Sequence, residues 1–182
     1  LRKISHFCIR LVRGSLRDIS SPAPWVVLPD GFQIRTLAGT GVYVVDNFCT
    51  ADEAKEIIDV ASDRLERSLV MTAEGFRETD LRRSYHALLF GPRYRYPGVI
   101  PLMRRAAALV GLPYTHLDQG DGTRYGEKDF YGQHIDYGDD FGIDRLYTVL
   151  LYLNTVPEEQ GGATVFPSLK AAVQPLVGRA VT

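Results

Sequence analysis

The spacing of apolar positions predicts two helices in the middle of the chain. Thr50 and Glu53 have the spacing of a capping box, and apolar residues then recur at helical intervals, which predicts an amphipathic helix over about residues 51–67. A second helix is predicted over about residues 99–110, because Gly111 and a following proline supply stop signals.

Short β-rich runs surround these helices. "GVYVVDNF" (residues 41–48) is typical of a buried strand, and after residue 114 the runs "TRYGEKDFYGQHIDYG", "DRLYTVLLYLN", "GATVFPSL" and "AAVQPLVGRAVT" are separated by turn-forming residues. In the third run, Gly161 and Gly162 are predicted to supply positive φ for a turn, with Thr164 and Phe166 alternating along the next strand. Helices followed by strands predict an α+β domain with helices packed on an antiparallel β-core, most simply a jelly roll.

One domain is expected from a length of 182 residues. We divide the chain into an N-terminal extension (residues 1–40) and a main domain (residues 41–182). Residues 19–40 are rich in Pro, Gly and Ser, which indicates an extended lead-in. The first seventeen residues carry five basic side chains and no acid, which favours a solvated, mobile end over a segment that binds an anionic surface.

Composition narrows the class of protein. A formal charge of -1 with 45% hydrophobic residues is typical of a globular protein and argues against a nucleic-acid partner. No apolar run reaches the length of a membrane span. Cys8 and Cys49 form no metal-binding spacing and are predicted to be packing thiols, with one disulfide as the alternative. Neither the cellular compartment nor the oligomeric state can be predicted.

His134 and Asp136 are the residues most suggestive of chemistry. Residues i and i+2 of a strand project from the same face, so on a strand these two side chains would reach one ion together. A histidine and a carboxylate, completed by a second histidine, form the facial triad that leaves open positions on ferrous iron. The alternative is a hydrogen-bonded pair on a solvated strand.

Several ordered motifs carry a resemblance to a known family. Tyr125, Tyr131 and His134-x-Asp136, followed by "RLYTVLLYLN" and "GGATVFP", resemble the catalytic core of the prolyl 4-hydroxylases. Upstream, "YVVDNFCTADEAKEIIDVASDRLERSLV" and the arginine and serine segment "LRRSY" are also similar. The family belongs to the iron(II)- and 2-oxoglutarate-dependent dioxygenases, so the resemblance implies a double-stranded β-helix, a form of jelly roll, with N-terminal supporting helices. It also makes His134 and Asp136 iron ligands.

The resemblance also implies roles for other residues. Tyr125 matches a tyrosine that lines the 2-oxoglutarate pocket, and Tyr152 matches a position that bonds the distal carboxylate in some relatives; either is alternatively a core tyrosine. Tyr131 matches a residue near the peptide substrate, or else is a core aromatic. Arg145 and Thr148 occupy family-like positions and are secondary substrate candidates, although an arginine at a strand start is usually a surface ion pair.

Two departures from the family pattern affect the expected site. "GEKDF" stands where the family usually has Gly-Gln, at the rim of the cofactor pocket. The distal histidine and the base that pairs with 2-oxoglutarate are expected beyond Thr182, so the chain is expected to be a fragment that lacks the C-terminal strands. His6, His86 and His116 precede the motif and are predicted to be surface or hydrogen-bonded residues.

The implied activity is hydroxylation of a prolyl or other residue in a peptide or protein, with 2-oxoglutarate and dioxygen converted to succinate and carbon dioxide. Fe(2+) and 2-oxoglutarate are the implied cofactors, and ascorbate commonly sustains such enzymes. One alternative is a relative that binds a peptide without turnover. Another is a generic jelly-roll ligand-binding module in which His134 and Asp136 are incidental.

Overall fold

The computed structural model describes residues 4–12, 33–36, 41–91, 94–136 and 145–182. The described residues form two α-helices, α1 (Ala51–Ser62) and α2 (Ile100–Leu109). The strands are β1 (Ile4–Val12), β2 (Gln33–Thr36), β3 (Tyr43–Asp46), β4 (Glu66–Arg67), β5 (Val70–Thr72), β6 (Gly75–Arg77), β7 (Arg82–Arg83), β8 (Tyr85–Phe90), β9 (Leu117–Arg124), β10 (Phe130–Tyr131), β11 (Arg145–Tyr152), β12 (Thr164–Phe166), β13 (Ala171–Val173) and β14 (Ala180–Val181).

An eight-stranded antiparallel sheet organises the described part of the chain. Its strand order is β2-β3-β14-β11-β1-β9-β8-β4, and the pairs β10-β7, β12-β13 and β5-β6 form three smaller sheets. Both helices pack against the large sheet, where their buried residues share one apolar core with Phe7, Leu89 and Leu151. The predicted α+β class is confirmed in this strand-rich, two-helix form.

Helix α1 begins where the sequence predicts and ends earlier. The Thr50 hydroxyl accepts the Glu53 N–H at 3.1 Å, and the Glu53 carboxylate accepts the Thr50 N–H at 2.8 Å, so the capping box is confirmed. The predicted end at residue 67 is wrong, because residues 66 and 67 instead pair with β8. Leu65 still packs against the core, so its apolar spacing is satisfied without a further helical turn.

Helix α2 is close to its prediction. A 3₁₀ turn (Pro97–Val99) leads into it, and the first residue after the C-cap, Gly111, has a φ of 69°. A left-handed residue at this position is the usual end of a helix, because glycine adopts it without a Cβ clash. Both stop and start therefore follow from local sequence.

Strand β1 overturns the expectation of a solvated, mobile N-terminal end, at least for residues 4–12. It lies inside the large sheet and pairs antiparallel with β9 on one edge and β11 on the other. Phe7 and Ile9 are completely buried. The boundary predicted at residues 40 and 41 thus falls between two strands of one sheet, since β2 pairs with β3.

The two faces of the sheet centre differ in chemistry. Phe7 is paired with Leu151 and Gly122, and this face lies against the helices. A Cβ placed on nearby Gly120 would lie 2.7 Å from Phe7, so only glycine permits that close approach. His6, one residue earlier, is paired with Tyr152 and Thr123 and therefore belongs to the opposite face. The candidate site is built on that second side.

The later β-rich runs form strands as predicted, except in the first run. Within the described part of "TRYGEKDFYGQHIDYG", residues 123–136, strand is found at Thr123–Arg124, the end of β9, and in β10, and residues 132–136 lie outside any strand. Gly161 and Gly162 have φ values of 74° and 77°, which confirms the predicted positive-φ turn. Val165 is 61% exposed while its neighbours Thr164 and Phe166 are partly buried, so the predicted alternation is also confirmed.

The cysteines behave as packing residues. Cys8 and Cys49 are both buried and are not joined to each other, so the alternative disulfide is not formed. Burial raises the pKa of the Cys49 thiol to about 12, which keeps it protonated and unreactive. Among the described residues, no helix has the length and apolar character to cross a membrane.

Candidate active site

His134 and Asp136 are brought together by the structure. The Nε2 atom of His134 lies 3.1 Å from Oδ1 of Asp136, and the two side chains are 32% and 44% exposed. The Nδ1 atom lies 2.8 Å from the carbonyl oxygen of Gly132. Because a carbonyl oxygen only accepts, Nδ1 must carry a proton and donate it, which leaves Nε2 as the nitrogen that faces the carboxylate.

The two side chains do not converge in the way the strand pattern predicted. Strand β10 ends at Tyr131, so His134 and Asp136 are not neighbours on a strand face, and that expectation is wrong. The Gly132 N–H donates to the Leu81 carbonyl at 2.7 Å, but pairing with β7 stops there. The chain then leaves the ladder and turns so that the two side chains hydrogen-bond directly.

The environment of His134 is suited to a metal ligand. The hydrogen bond to Asp136 raises the pKa of His134, against an opposing effect of burial. Histidines that bind metals usually donate their other ring N–H to a carboxylate or backbone carbonyl, as Nδ1 does here to Gly132. A metal ion would replace the proton shared by Nε2 and Asp136, since both atoms are donors that ferrous iron accepts.

Tyr131 packs directly on His134. Their ring centroids are 3.6 Å apart with the planes inclined by 13°, and the guanidinium carbon of Arg82 lies 4.5 Å from the centre of the same tyrosine ring. Arg82 and Tyr131 are cross-strand partners of β7 and β10. The structure therefore places Tyr131 beside the predicted ligand, while its predicted contact with a substrate stays a prediction.

Tyr125 belongs to the same cluster through Ser84. Burial raises the pKa of Tyr125 to about 12, although a hydrogen bond with Ser84 acts in the opposite direction. The Ser84 hydroxyl is buried, accepts the Nε–H of Arg82 at 2.8 Å and donates to the Ser68 hydroxyl at 2.8 Å. Tyr125 is thus a protonated phenol, linked through one serine to the arginine beside Tyr131.

His6 is the site residue that sequence reasoning missed. Its ring centroid lies 5.2 Å from that of Tyr125, and it is partly buried on strand β1. Burial and the charge of Arg82 lower the pKa of His6 to about 4, despite the opposing charge of Asp136. The expectation of a surface histidine is wrong for this residue, because its strand lies between β9 and β11, and the alternative of a hydrogen-bonded histidine stays a prediction.

Arg82 and Ser84 were visible in the sequence only within the family-like segment "LRRSY". Nothing in that segment indicated that Arg82 would reach Tyr131, because the contact depends on the pairing of β7 with β10. Arg145 donates from Nη1 to the backbone carbonyl of Asp136 at 3.3 Å, and its predicted contact with substrate stays a prediction. Thr148 is partly buried further along β11, opposite Arg10 of β1.

Tyr152 is fully buried, and its hydroxyl is engaged by the protein. The oxygen lies 2.6 Å from the Thr164 hydroxyl and donates to the Val173 carbonyl at 3.1 Å. Burial raises the pKa of Tyr152 to about 12. A co-substrate carboxylate would have to replace one of these partners, so the predicted contact with 2-oxoglutarate stays a prediction.

The described residues provide part of an iron site. His134 and Asp136 contribute one imidazole nitrogen and one carboxylate oxygen, the donor types of a facial triad. Within residues 4–12, 33–36, 41–91, 94–136 and 145–182, no group of three His, Cys, Asp or Glu side chains is arranged to hold a metal. The pair fits iron in donor chemistry, and a complete site needs a further ligand.

Comparison with known proteins agrees with this chemistry. Residues 120–182, which include His134 and Asp136, match the model of the 2OG-Fe(II) oxygenase superfamily. The chain is 32% identical over 132 residues to "Probable prolyl 4-hydroxylase 10" of Arabidopsis thaliana, covering 70% of this chain and 45% of that protein. It is also 32% identical over 141 residues to "Prolyl 4-hydroxylase subunit alpha-1" of Gallus gallus, covering 71% of this chain and 27% of that protein.

The chain spans less than half the length of these two relatives. The similarity nevertheless covers the segment that holds the histidine, the aspartate and the tyrosines of the site. Together, the family model and several relatives at about 30% identity support a prolyl 4-hydroxylase-like family of 2OG-Fe(II) oxygenases for this chain.

Proposed function

We propose that this chain carries iron- and 2-oxoglutarate-binding residues of a dioxygenase that hydroxylates a prolyl or other side chain of a peptide or protein. The observation that carries the proposal is the 3.1 Å approach of His134 Nε2 to Asp136 Oδ1, with Nδ1 tied to Gly132. This arrangement lies within the matched family segment. We also infer that the β-core follows the double-stranded β-helix of that family.

In this proposal, His134 and Asp136 hold ferrous iron, and Tyr125 lines the 2-oxoglutarate pocket. Because its pKa is raised, the Tyr125 phenol stays protonated and can donate a hydrogen bond to a carboxylate oxygen, which suits an anionic co-substrate. Two residues of β11 are secondary candidates, Tyr152 for contact with 2-oxoglutarate and Thr148 for contact with the substrate. Ascorbate is proposed as the reductant that sustains activity. Bound iron would allow dioxygen to oxidise the substrate and 2-oxoglutarate together, with one oxygen atom ending in the new hydroxyl group and the other in succinate, and with carbon dioxide released.

The remaining steps depend on the protein. Nδ1 of His134 holds its proton against Gly132, so the ring keeps Nε2 toward the metal position throughout turnover. Arg145 holds the Asp136 backbone at its carbonyl oxygen. Tyr131 and Arg145 border the solvated side of His134 and Asp136, where we propose that the substrate approaches.

Thermal melting tests the metal and co-substrate part of this proposal. Anaerobic ferrous iron together with a 2-oxoglutarate analogue that cannot be decarboxylated should raise the melting temperature, by roughly 2–4 °C per kcal/mol of binding free energy. The increase should disappear in His134→Ala and persist in His116→Ala, a histidine in a distant 3₁₀ turn. An equal increase in both variants would show that the ligands bind elsewhere.

The second candidate function is peptide binding without catalysis. It is favoured because the described residues bring two possible iron ligands together, and not three. The two candidates differ in one measurement. An enzyme forms succinate from 2-oxoglutarate in the presence of iron, dioxygen and a peptide, whereas a binding module retains the peptide and forms none.

A further inference from the structure

Two side chains outside the predicted ligand pair form a stack with His134. The Tyr131 ring lies face to face with the imidazole at a centroid distance of 3.6 Å. Arg82 contacts the same tyrosine ring, with its guanidinium carbon 4.5 Å from the ring centre. The three groups therefore form a continuous stack that ends at the ligand, which we call the Arg82–Tyr131–His134 stack.

The far end of the stack is anchored in the protein interior. Arg82 donates from Nε to the Ser84 hydroxyl at 2.8 Å, and Ser84 donates to the Ser68 hydroxyl at 2.8 Å. Ser84 and Ser68 are 0% and 1% exposed, and the Ser68 N–H donates to the Ser84 carbonyl at 3.0 Å. Because these serines cannot shift without disturbing the core, they hold the Arg82 guanidinium in one position.

The backbone that carries His134 is held by the same pair of strands. Gly132 donates its N–H to the Leu81 carbonyl at 2.7 Å and accepts the Nδ1 proton of His134. A Cβ on Gly132 would lie 2.7 Å from Cδ1 of Leu81, so glycine is needed for this approach. The hydrogen bond to Gly132 keeps a proton on Nδ1 of His134. It does not by itself prevent the imidazole ring from tilting.

We propose that Tyr131 and Arg82 are positioning residues that keep the His134 imidazole turned so that Nε2 faces Asp136. The imidazole is one-third exposed, and the Tyr131 ring is the surface on which it lies. Stacking favours the coplanar arrangement, and the guanidinium holds the tyrosine ring in register. This inference deepens the proposed function, and its consequence for metal binding rests on that function.

Nuclear magnetic resonance of the metal-free protein tests the positioning directly. In protein with labelled histidines, the stacked Tyr131 ring should shift the His134 ring protons upfield through its ring current. Tyr131→Phe should preserve this shift, and Tyr131→Leu should abolish it. Arg82→Gln should reduce it. Tyr43→Leu, a matched loss of an exposed tyrosine on β3, should leave it unchanged.

Metal titration provides the second readout. Tyr131→Leu should weaken the binding of cobalt(II), used as a spectroscopic substitute for iron, by roughly tenfold, whereas Tyr131→Phe should rescue the wild-type affinity. A substrate contact made through the hydroxyl would give the reverse pattern, with Tyr131→Phe changing KM for a peptide and metal affinity unaffected by either variant.

The outcomes separate the two claims. Unchanged His134 resonances in a folded Tyr131→Leu variant would overturn the positioning role. A smaller upfield shift in Arg82→Gln, which keeps the Tyr131 ring, would support the positioning role, and the absence of any cobalt(II) binding by the wild-type chain would contradict the proposed metal site.

Discussion

His6 is a neutral imidazole placed next to charged residues of the site. The side chain is partly buried against the Tyr125 ring, and the nearest charges that affect it are those of Arg82 and Asp136. Burial and Arg82 together lower its pKa from 6.5 to about 4. At neutral pH it is therefore uncharged in both the folded and the unfolded chain, and this changes in acid.

The lowered pKa predicts a loss of stability in mild acid. Between pH 6.5 and about 4, the unfolded chain binds a proton at His6 that the folded chain does not, so the free energy of unfolding should fall as the pH falls. The full effect is about 3 kcal/mol by the linkage of pKa to free energy. Urea unfolding at a series of pH values measures it.

Replacement of the histidine provides the control for this pH dependence. His6→Gln should flatten the stability profile in this pH range relative to the wild type. A slope that is identical in wild type and His6→Gln would contradict the assignment of the effect to His6.

At the residue scale, the sequence predicted the ligand pair and not its support. His134 and Asp136 were predicted as ligands because their residue types suit iron and because the motifs around them resemble those of a known family. Tyr131 and Arg82 meet because β10 and β7 pair in one register, and His6 reaches Tyr125 because β1 lies beside β9. Such pairings connect distant segments and leave no local signal.

Strand β1 is the element that most changes the interpretation of the molecule. It pairs with β11 and with β9, strands more than a hundred residues away in sequence, and places Phe7 in the main core. The capping box of α1 and the glycine after α2 were readable locally because their contacts span three or four residues. The partners of β1 were not readable, so its basic residues suggested a solvated end.

Truncation of Phe7 tests whether β1 is part of the core. Phe7 is completely buried, so Phe7→Ala should lower the free energy of unfolding by about 3–5 kcal/mol through lost burial and an unfilled cavity. Phe76→Ala is the matched control, because Phe76 is 66% exposed on β6, and it should change stability by less than about 0.5 kcal/mol. Equal, small effects in a denaturant titration would mean that β1 is not packed as described.

At the scale of the whole molecule, one sheet separates structural from chemical residues. The helices cover the face that carries Phe7 and Leu151, and the paired residues His6, Tyr152 and Thr123 lie on the other. The α+β class was predictable, because helical spacing precedes alternating runs along most of the chain. The order of strands was not, since the sheet joins the first strand to strands from the second half of the chain.

We propose that His134 and Asp136 bind ferrous iron and that 2-oxoglutarate binds at the same site. The most direct measurement is an anaerobic titration with both, followed by the visible absorption of the iron–2-oxoglutarate chelate and compared with a protein-free solution. We expect a saturable protein-dependent band in the wild type and in His116→Ala that is lost in His134→Ala and Asp136→Ala. A band of equal intensity in all four proteins, or none beyond the protein-free solution, would contradict it.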